Sequence, residues 1–364
     1  MKFIQQLKQF DWIIIGVVFF LTIFGLIIQY SLSLNQEIIS FSNFNKQLIF
    51  AIIGLILMFS ISFLNWNFFL KNYAIFLYIF ILILLILVLF FGKIFRGTQG
   101  WINLPFGINF QIMELAKIIL AVILAKYWSN KIYNIQSFKH IILTGIIIII
   151  PFILMILQPD LGSALIFFCL WLGMIFITSK PKNIILILII FFLIFGIGWF
   201  GLKDYQKNRI ITFVNPQIDP LGQGYQIIQS SIAVGSGQFW GRGLGLGPQS
   251  QLKFLPEART DFVFAVIAEE LGMVGAFLVL SLFGILFYRF WKIIKKIRDD
   301  FSVFLILGFA LIFFIEIFVN IGMNIGLAPI TGISLPFLSY GGSSLLAHLF
   351  IIGILQGIIK KTNK

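Results

Sequence analysis

The chain has 364 residues, of which 60% are hydrophobic and 11% are charged, and its formal net charge is +13. Soluble domains contain about 45–50% apolar and about 25% charged residues, so this composition excludes a water-soluble globular fold. Because Cys169 is the one cysteine of the sequence, an intrachain disulfide framework and a cysteine-rich metal site are also excluded. The basic residues lie at the ends of apolar runs, which is typical of membrane topology and argues against nucleic-acid binding.

Apolar runs along the chain predict membrane-spanning helices, because about 20 apolar residues cross the roughly 30 Å hydrocarbon core of a bilayer. We therefore predict an all-α membrane protein in which residues 1–364 form one integral domain, a polytopic bundle of about ten transmembrane helices. Lys2 and Lys8 before the first run resemble the start of a signal peptide, but no cleavage site follows, so we expect an uncleaved first helix. The ten runs cover residues 12–30, 47–64, 73–91, 112–127, 140–157, 161–178, 184–202, 262–289, 302–325 and 341–359.

The basic residues also predict the orientation. If the N-terminus is cytoplasmic, the inner loops and both termini hold most lysines and arginines, whereas the short outer loops hold Lys46, Lys93 and Arg96. Long loops are translocated largely regardless of their charge, so the segment 203–261 carries little weight in this comparison. We expect both termini in the cytoplasm, and residues 203–261 as one long extracytoplasmic loop between helices 7 and 8.

Carboxylates occur at predicted membrane depth, where a charge costs at least about 2.5–3.5 kcal/mol on insertion scales. Glu114 and Lys117 are three residues apart and therefore neighbours on one helix face. They form either a structural ion pair or part of a polar cavity that binds the charged part of a substrate. The other acidic candidates are Glu269, Glu270, Glu316 and, at a tight turn between helices, Asp160.

Polar residues recur at four-residue spacing in the ninth run. Glu316, Asn320 and Asn324 predict a polar stripe that makes interhelical hydrogen bonds or lines a cavity. The two histidines, His140 and His348, have no metal-ligand partners at suitable sequence spacing, so we assign both to packing or to the interface.

The outer segment is polar and rich in glycine. Its run of glycines at residues 235–247 lacks the Lys-Ser/Thr ending of a P-loop and the preceding strand of a dinucleotide site, so a nucleotide-binding loop is excluded. Basic and aromatic side chains alternate around it, which suits either a lipid-linked substrate with a diphosphate head or an ordinary interfacial belt. Asp261 precedes the eighth run, at the boundary between water and lipid. The basic residues are Arg209, Arg242, Lys253 and Arg259, and the aromatic ones are Tyr225, Phe239, Trp240 and Phe254.

Four blocks of sequence resemble the SEDS family of bacterial shape, elongation, division and sporulation proteins. They are residues 158–164 (QPDLGSA), 215–230 (NPQIDPLGQGYQIIQS), 254–272 (FLPEARTDFVFAVIAEELG) and 336–344 (PFLSYGGSS). The stretch 249–253 (QSQLK) is more similar to the rod-shape branch, RodA, than to the division branch, FtsW. The family pattern has Gln-Arg-Trp where this chain has Gly100 before Trp101, and Gln-Pro-Ser-Glu where it has Ile112 and Met113 before Glu114.

The resemblance implies a peptidoglycan glycosyltransferase of the bacterial inner membrane that polymerises lipid II together with a class B penicillin-binding protein. It implies that Asp261 is the essential carboxylate and that Glu114 and Lys117 are the buried acid–base pair. We expect Arg259, Arg209, Arg242 or a divalent cation such as Mg²⁺ or Mn²⁺ to hold the diphosphate, and we include Asp160 among the substrate-binding candidates. Two alternatives remain open at this point, a transporter of the lipid-linked precursor and a catalytically silent scaffold.

Overall fold

The computed structural model of the protein is mostly helical. It describes residues 8–34, 41–95, 98–104, 108–131, 138–183, 185, 204–219 and 222–362. In these ranges the helices are α1 (Trp12–Leu34), α2 (Ser42–Ser62), α3 (Trp66–Phe91), α4 (Ile112–Ser129), α5 (Phe138–Leu157), α6 (Leu161–Thr178), α7 (Asp204–Val214), α8 (Gln223–Ser236), α9 (Pro248–Gln251), α10 (Val263–Ile294), α11 (Asp300–Asn324) and α12 (Gly342–Thr362). The strands are β1 (Lys93–Phe95), β2 (Thr98–Leu104) and β3 (Ile108–Gln111).

The predicted spans correspond to helices wherever the chain is described. Among the described residues, eight helices are long and apolar enough to cross a membrane, namely α1, α2, α3, α5, α6, α10, α11 and α12. The predicted fourth span is α4, which carries Glu114, Lys117 and Lys126 within its 18 residues. The predicted seventh span, 184–202, lies outside the described residues apart from residue 185. The bundle of about ten transmembrane helices is therefore confirmed as the fold class.

Helices α11 and α12 form the centre of the bundle. In the most apolar stretch of 18 residues, 67% of the residues are buried in α11 and 72% in α12, whereas 22% are buried in α3. Helix α12 packs along α2, and α11 packs along α4. The outer helices instead direct large apolar side chains away from the protein, as at Phe76 and Phe90 of α3. Helices satisfy their own backbone hydrogen bonds, so such apolar faces are stable in lipid.

The predicted outer loop 92–111 contains a small sheet that the sequence analysis did not foresee. Its strands are antiparallel in the order β1-β2-β3, and Trp101 of β2 lies opposite Gln111 of β3. The pairing register between β1 and β2 shifts between Lys93 and Phe95. So small a sheet is stable only against a packing surface, and β2 lies against α3 and α4. Because β3 runs directly into α4, the sheet fixes the position at which α4 begins.

Helix α10 is broken near its N-terminal end. Gly272 has φ +66° and ψ −160°, a conformation that favours glycine. The N–H of Met273 donates instead to the carbonyl of Gln238 at 2.9 Å, and the N–H of Arg242 donates to the carbonyl of Glu269 at 2.9 Å. The part after the break, at about 1.5 Å per residue, is about 33 Å long, which is long enough to cross the hydrocarbon core by itself. Residues 263–270, before the break, are buried inside the protein.

Candidate functional site

A cavity of about 900 Å³ lies where the ends of several helices meet, on the side of the bundle that the sequence predicts to be extracytoplasmic. Its wall is formed by the start of α2, by β2 and β3, by the start of α4, by residues 250–261 and by residues 332–344. Helix α11 contributes Glu316 to this wall. Both carboxylates and cations therefore face one space, which is the arrangement expected for binding a charged substrate. The charged residues that line the cavity are Lys46, Glu114, Lys253, Glu257, Arg259, Asp261 and Glu316.

The backbone of Asp261 is held by the polar stripe of α11. Its carbonyl oxygen accepts hydrogen bonds from the side-chain amides of Asn320 and Asn324, each at 3.0 Å. Asn324 also accepts the N–H of Ala265 at 2.9 Å, at the start of α10. The stripe was predicted to make interhelical hydrogen bonds or to line a cavity. Asn324 does the first through Ala265, Asn320 instead donates to the carbonyls of Asp261 and Ile333 outside the helices, and Glu316 does the second.

The two residues before Asp261 are held by the block at residues 336–344. The carbonyl of Thr260 accepts the hydroxyl of Ser339 at 2.6 Å, and the carbonyl of Arg259 accepts the N–H of Tyr340 at 2.8 Å. The amide of Gln29 on α1 donates to the same Arg259 carbonyl at 3.0 Å. Residues far apart in the sequence thus converge on one short segment, and this explains why tertiary structure is needed to present Asp261 to the cavity.

The guanidinium of Arg259 is half-buried beside this segment. Its Nη2 donates to the carbonyl of Leu32 at 2.7 Å, which links the segment to the end of α1. Burial lowers the pKa of Arg259 from its usual value, and it raises the pKa of the neighbouring Tyr340 hydroxyl. Arginine remains a cation at physiological pH despite such a shift.

Glu114 and Lys117 form the ion pair that their spacing predicts, and the pair does not stand alone. The ammonium nitrogen of Lys117 lies 2.5 Å from Glu114 Oε2, 2.5 Å from Glu316 Oε1 and 3.2 Å from His348 Nε2. Glu316 Oε2 lies 2.7 Å from His348 Nε2. All four side chains are buried. We call Glu114, Lys117, Glu316 and His348 the buried cluster.

Sequence spacing does not indicate the role of His348. The sequence predicts packing or the interface, because no metal-ligand partner lies at a suitable spacing, whereas the partners of His348 come from α4 and α11. Within the described residues, Glu114, Glu316 and His348 are the group of three whose ligand atoms come close enough to hold a metal ion. The ammonium of Lys117 contacts both carboxylates, so it supplies the positive charge that a metal ion would supply.

Three of the predicted substrate-binding residues, Asp160, Arg209 and Arg242, do not line the cavity. Asp160 caps the start of α6, where its carboxylate accepts the N–H of Ser163 at 3.0 Å and the Ser163 hydroxyl at 2.5 Å. Burial raises the pKa of Asp160, and the hydrogen bonds from Ser163, followed by the charge of Arg209, oppose this shift. Arg242 is exposed, and its N–H is used at the break in α10.

Glu269 and Glu270 hold the outer segment against the bundle. Glu269 accepts the N–H of Gln249 at 2.7 Å and the N–H of Ser250 at 3.0 Å. Glu270 accepts the hydroxyl of Ser31 and the side-chain amide of Gln251, both at 2.7 Å. These two buried carboxylates are satisfied by hydrogen-bond donors, and they connect the cavity wall near residue 250 to α10 and α1.

A family model described as a cell cycle protein, covering FtsW, RodA and SpoVE, matches residues 11–364. The chain belongs to this family. It is 39% identical over 270 residues to the peptidoglycan glycosyltransferase MrdB of Escherichia coli K12, which is 74% of this chain and 72% of MrdB. It is also 31% identical to the peptidoglycan glycosyltransferase RodA of Treponema pallidum, with 98% of both chains covered.

Solved structures of the family have the same fold. A chain from a peptidoglycan synthase complex, studied for the coordination of polymerization and crosslinking, matches with a TM-score of 0.81 at 31% identity. This match covers 97% of the present chain and 98% of the other. The crystal structure of RodA from Thermus thermophilus matches with a TM-score of 0.71 at 25% identity, covering 98% of each chain. The family resemblance of the four sequence blocks is thus confirmed.

Proposed function

We propose that the protein is a peptidoglycan glycosyltransferase that polymerises lipid II into β-1,4-linked glycan strands, and that Asp261 is its essential carboxylate. The relatives named above carry the glycosyltransferase assignment. The observation that supports the site is that Asp261 lines the same cavity as Lys46, Lys253 and Arg259. A carboxylate suits an acceptor hydroxyl, and cations suit a diphosphate leaving group.

The reaction inverts the anomeric centre. The donor sugar of lipid II is bound to its diphosphate by an α linkage, and the glycan has β linkages, so direct displacement accounts for the product. The 4-hydroxyl oxygen of the acceptor sugar forms the new bond to the anomeric carbon, and undecaprenyl diphosphate departs with the electrons of the broken bond. Asp261 takes the hydroxyl proton. General-base assistance of this kind contributes about 10²–10⁴ in rate.

Cations of the cavity stabilise the departing diphosphate in this proposal. Lys46 and Lys253 join Arg259 in this role, because all three line the cavity with Asp261. Charge stabilisation in a site that excludes water is often the largest contribution to catalysis. Arg209 and Arg242 do not line the cavity, so we place them outside the group that holds the phosphates.

A divalent cation fits the part of the cavity at Asp261 and Glu257 better than it fits the buried cluster. The buried cluster already contains the Lys117 ammonium between its carboxylates. Mg²⁺ and Mn²⁺ are commonly bound by one or two carboxylates together with substrate phosphates. Asp261 and Glu257, which both line the cavity, are therefore the residues that would hold Mg²⁺ or Mn²⁺ and let it neutralise phosphate charge.

Purified protein and fluorescent lipid II test the proposal. The wild type should produce glycan strands that lysozyme digests, and Asp261→Asn should lower the rate by at least about 10². Asp300→Asn is the matched control, because Asp300 is an exposed aspartate at the start of α11 and does not line the cavity. Equal strand formation by the wild type and Asp261→Asn would reject the role of Asp261. No strands from folded wild type, with or without its partner and Mg²⁺, would reject the enzyme.

A transporter of the lipid-linked precursor is the second candidate, and the break in α10 favours it. Broken helices are common where transporters bind their substrates. However, the continuous part of α10 after Gly272 is long enough to cross the bilayer, and the freed backbone groups are satisfied by residues 238–243. The break is therefore consistent with a fixed outer site. Movement of intact lipid II between leaflets without strand formation would support the transporter.

We further propose a role in cell elongation with a class B penicillin-binding protein as partner. The stretch 249–253 is similar to the rod-shape branch, and the solved peptidoglycan synthase complex supports a partnership between polymerisation and crosslinking. Depletion of the protein in its own bacterium should give round cells. A division role, as in the FtsW relative of Trichlorobacter lovleyi (37% identity over 97% of this chain and 94% of the relative), would give filaments instead.

A further inference from the structure

We propose that a small basic pocket, at the end of the bundle opposite the cavity, binds the phosphate of an anionic phospholipid. The pocket has a volume of about 90 Å³ and lies between residues 10–11, the end of α10 and the end of α12. Its charged lining residues are Asp11, Arg289, Lys292 and Lys296. None of them lines the cavity, so this inference does not rest on the proposed function.

Asp11 and Arg289 form the fixed part of the pocket. The guanidinium of Arg289 donates to Asp11 Oδ2 through Nε at 3.0 Å and through Nη2. Asp11 Oδ1 accepts the N–H of Ile13 at 3.1 Å at the start of α1, and the backbone of Asp11 is bonded to the side-chain amide of Gln356 on α12. Both carboxylate oxygens are thus occupied, and Arg289 neutralises the one negative charge of the pocket.

Lys292 and Lys296 are the part of the pocket that is left unpaired. In the described part of the chain, neither ammonium group makes a hydrogen bond or an ion pair, although both side chains line the pocket. Because Asp11 is neutralised by Arg289, the pocket carries two uncompensated positive charges. Cations placed four residues apart repel each other, and an anion that enters between them removes this repulsion.

Capping of α10 does not account for these two lysines. Lysine side chains near the end of a helix can donate to its last carbonyl groups. Here the carbonyls of Trp291, Ile293 and Ile294 accept backbone N–H groups of residues 295–297, at 3.3, 2.9 and 3.3 Å. The end of α10 is therefore satisfied by its own backbone, and the ammonium groups are available to a ligand.

Acidic side chains of the protein do not balance this charge. The segments that meet at this end of the bundle contain eight lysines and arginines and three aspartates. Asp11 is already paired, Asp299 lies 3.7 Å from Lys71, and Asp300 does not line the pocket. The preceding residues 1–7 contain no acidic residue. A bound anion is thus the group that fits the pocket. The segments are residues 8–11, 289–300 and 360–362.

The surroundings place the pocket at the depth of lipid headgroups. It lies where α1 begins and where α10 and α12 end, and all three helices are long and apolar enough to cross a membrane. Trp12, Tyr288 and Trp291 are each more than half exposed at this level, as in the aromatic belt of a membrane interface. Ile13 and Ile285 expose apolar side chains on the same helices, which suits acyl chains.

A phosphate in the pocket can therefore remain attached to a lipid whose acyl chains stay in the membrane. The pocket is on the side that the sequence predicts to be cytoplasmic. Basic pockets between helix ends on that side suit anionic headgroups, whereas a zwitterionic headgroup brings its own cation to the phosphate. We therefore commit to an anionic phospholipid of this leaflet as the ligand, in preference to a soluble phosphate.

Native mass spectrometry of the full protein in detergent tests the ligand. The probes are dioleoylphosphatidylglycerol, dioleoylphosphatidylcholine with the same acyl chains and no net charge, and soluble glycerol phosphate. We expect the first phosphatidylglycerol to bind about tenfold or more tightly than the first phosphatidylcholine, and glycerol phosphate at equal concentration not to displace it. Equal affinity for the two lipids would overturn the proposal, and displacement by glycerol phosphate would overturn the lipid as the ligand.

Matched double variants separate a built pocket from general attraction to the basic end of the bundle. Lys292→Gln with Lys296→Gln should weaken phosphatidylglycerol binding about tenfold or more and leave phosphatidylcholine binding unchanged. Replacing both lysines with arginine keeps the charge and should keep the binding. Lys131→Gln with Lys139→Gln removes two exposed lysines at the same end that do not line the pocket, and it should bind as the wild type does. Equal losses in the two glutamine variants would overturn the site.

Thermal unfolding provides a second readout. A ligand that binds the folded state raises the thermal midpoint. Phosphatidylglycerol added to delipidated protein should raise the midpoint of the wild type by more than phosphatidylcholine does, and this difference should vanish in Lys292→Gln with Lys296→Gln. Both lysines are exposed, so this variant should unfold at the wild-type midpoint without lipid. A full response of the variant to phosphatidylglycerol would contradict the proposal.

Discussion

Asn324 connects Asp261 to the helix that follows it. Its side-chain nitrogen donates to the carbonyl of Asp261 at 3.0 Å, and its side-chain oxygen accepts the N–H of Ala265 at 2.9 Å. One fully buried amide thereby fixes both the residue proposed to act on the substrate and the first turn of α10. The position of Asp261 depends on α11 as much as on its own segment.

Asn324→Ala should therefore weaken both stability and activity. The substitution leaves the buried N–H of Ala265 without its side-chain acceptor, and an unsatisfied buried donor costs about 1–3 kcal/mol. We expect a lower thermal midpoint in detergent and a loss of strand formation at temperatures where the variant is still folded. Ser60→Ala serves as the control, because its exposed hydroxyl bonds only to a carbonyl of its own helix. Normal activity in folded Asn324→Ala would contradict the positioning role.

Gly332→Ala should disturb the side chain of Asp261, whereas Asn324 holds its backbone. Gly332 has φ +75°, and a Cβ there would lie 3.8 Å from Asp261 Oδ2. An alanine at positive φ costs about 1 kcal/mol or more, and relaxation of this backbone would shift the cavity wall. We expect lower polymerisation of lipid II by folded protein.

Gly284→Ala is the matched control for that experiment. Gly284 lies within α10, and a Cβ there meets nothing within 4 Å. Activity and the thermal midpoint should stay at the wild-type level. An equal loss of activity in both glycine variants would show that the effect of Gly332→Ala is not specific to the site.

Asp160→Asn should change how stability depends on pH. Burial raises the pKa of Asp160 above its ordinary 3.8, so the folded state holds the proton more tightly than the unfolded state. Both states are protonated below pH 3.8. As the pH rises above 3.8 the unfolded state releases its proton first, and stability falls until the folded state has also lost its proton. Asparagine keeps the helix cap without the charge.

We therefore expect Asp160→Asn to lose less stability than the wild type between about pH 4 and pH 7. Thermal midpoints measured across this range test the prediction, and Asp300→Asn controls for loss of an exposed carboxylate. The prediction would be contradicted if the thermal midpoint of the wild type rose with pH through this range by more than that of the variant.

The proposed orientation, with both termini in the cytoplasm, can be tested by labelling. In a Cys169→Ser background, cysteines are introduced one at a time at Lys253 and Lys295, which are exposed near opposite ends of the bundle. An impermeant maleimide added to intact spheroplasts should label the Lys253→Cys variant and leave Lys295→Cys unlabelled until the membrane is opened. The reverse pattern would place the cavity on the cytoplasmic side and exclude the proposed substrate access.

The class of protein and most of its helices could be predicted from the amino-acid sequence. Hydrophobic runs of membrane-spanning length are a local property, so the spans could be located without any contact information. The same is true of the Glu114 and Lys117 pair and of the stripe that ends at Asn324, because helical periodicity alone places residues three or four apart on one face. The family blocks pointed to Asp261 in the same way.

Only the tertiary structure decided which of these faces meet. Lipid tails are as apolar as the helices, so hydrophobicity does not specify neighbouring helices, and polar side chains of distant segments make the specific contacts. His348 meets Glu316 and Lys117 across three helices, and Arg259 meets Tyr340, although nothing in their spacing indicates this. The cavity wall is accordingly built from segments that lie far apart in the sequence.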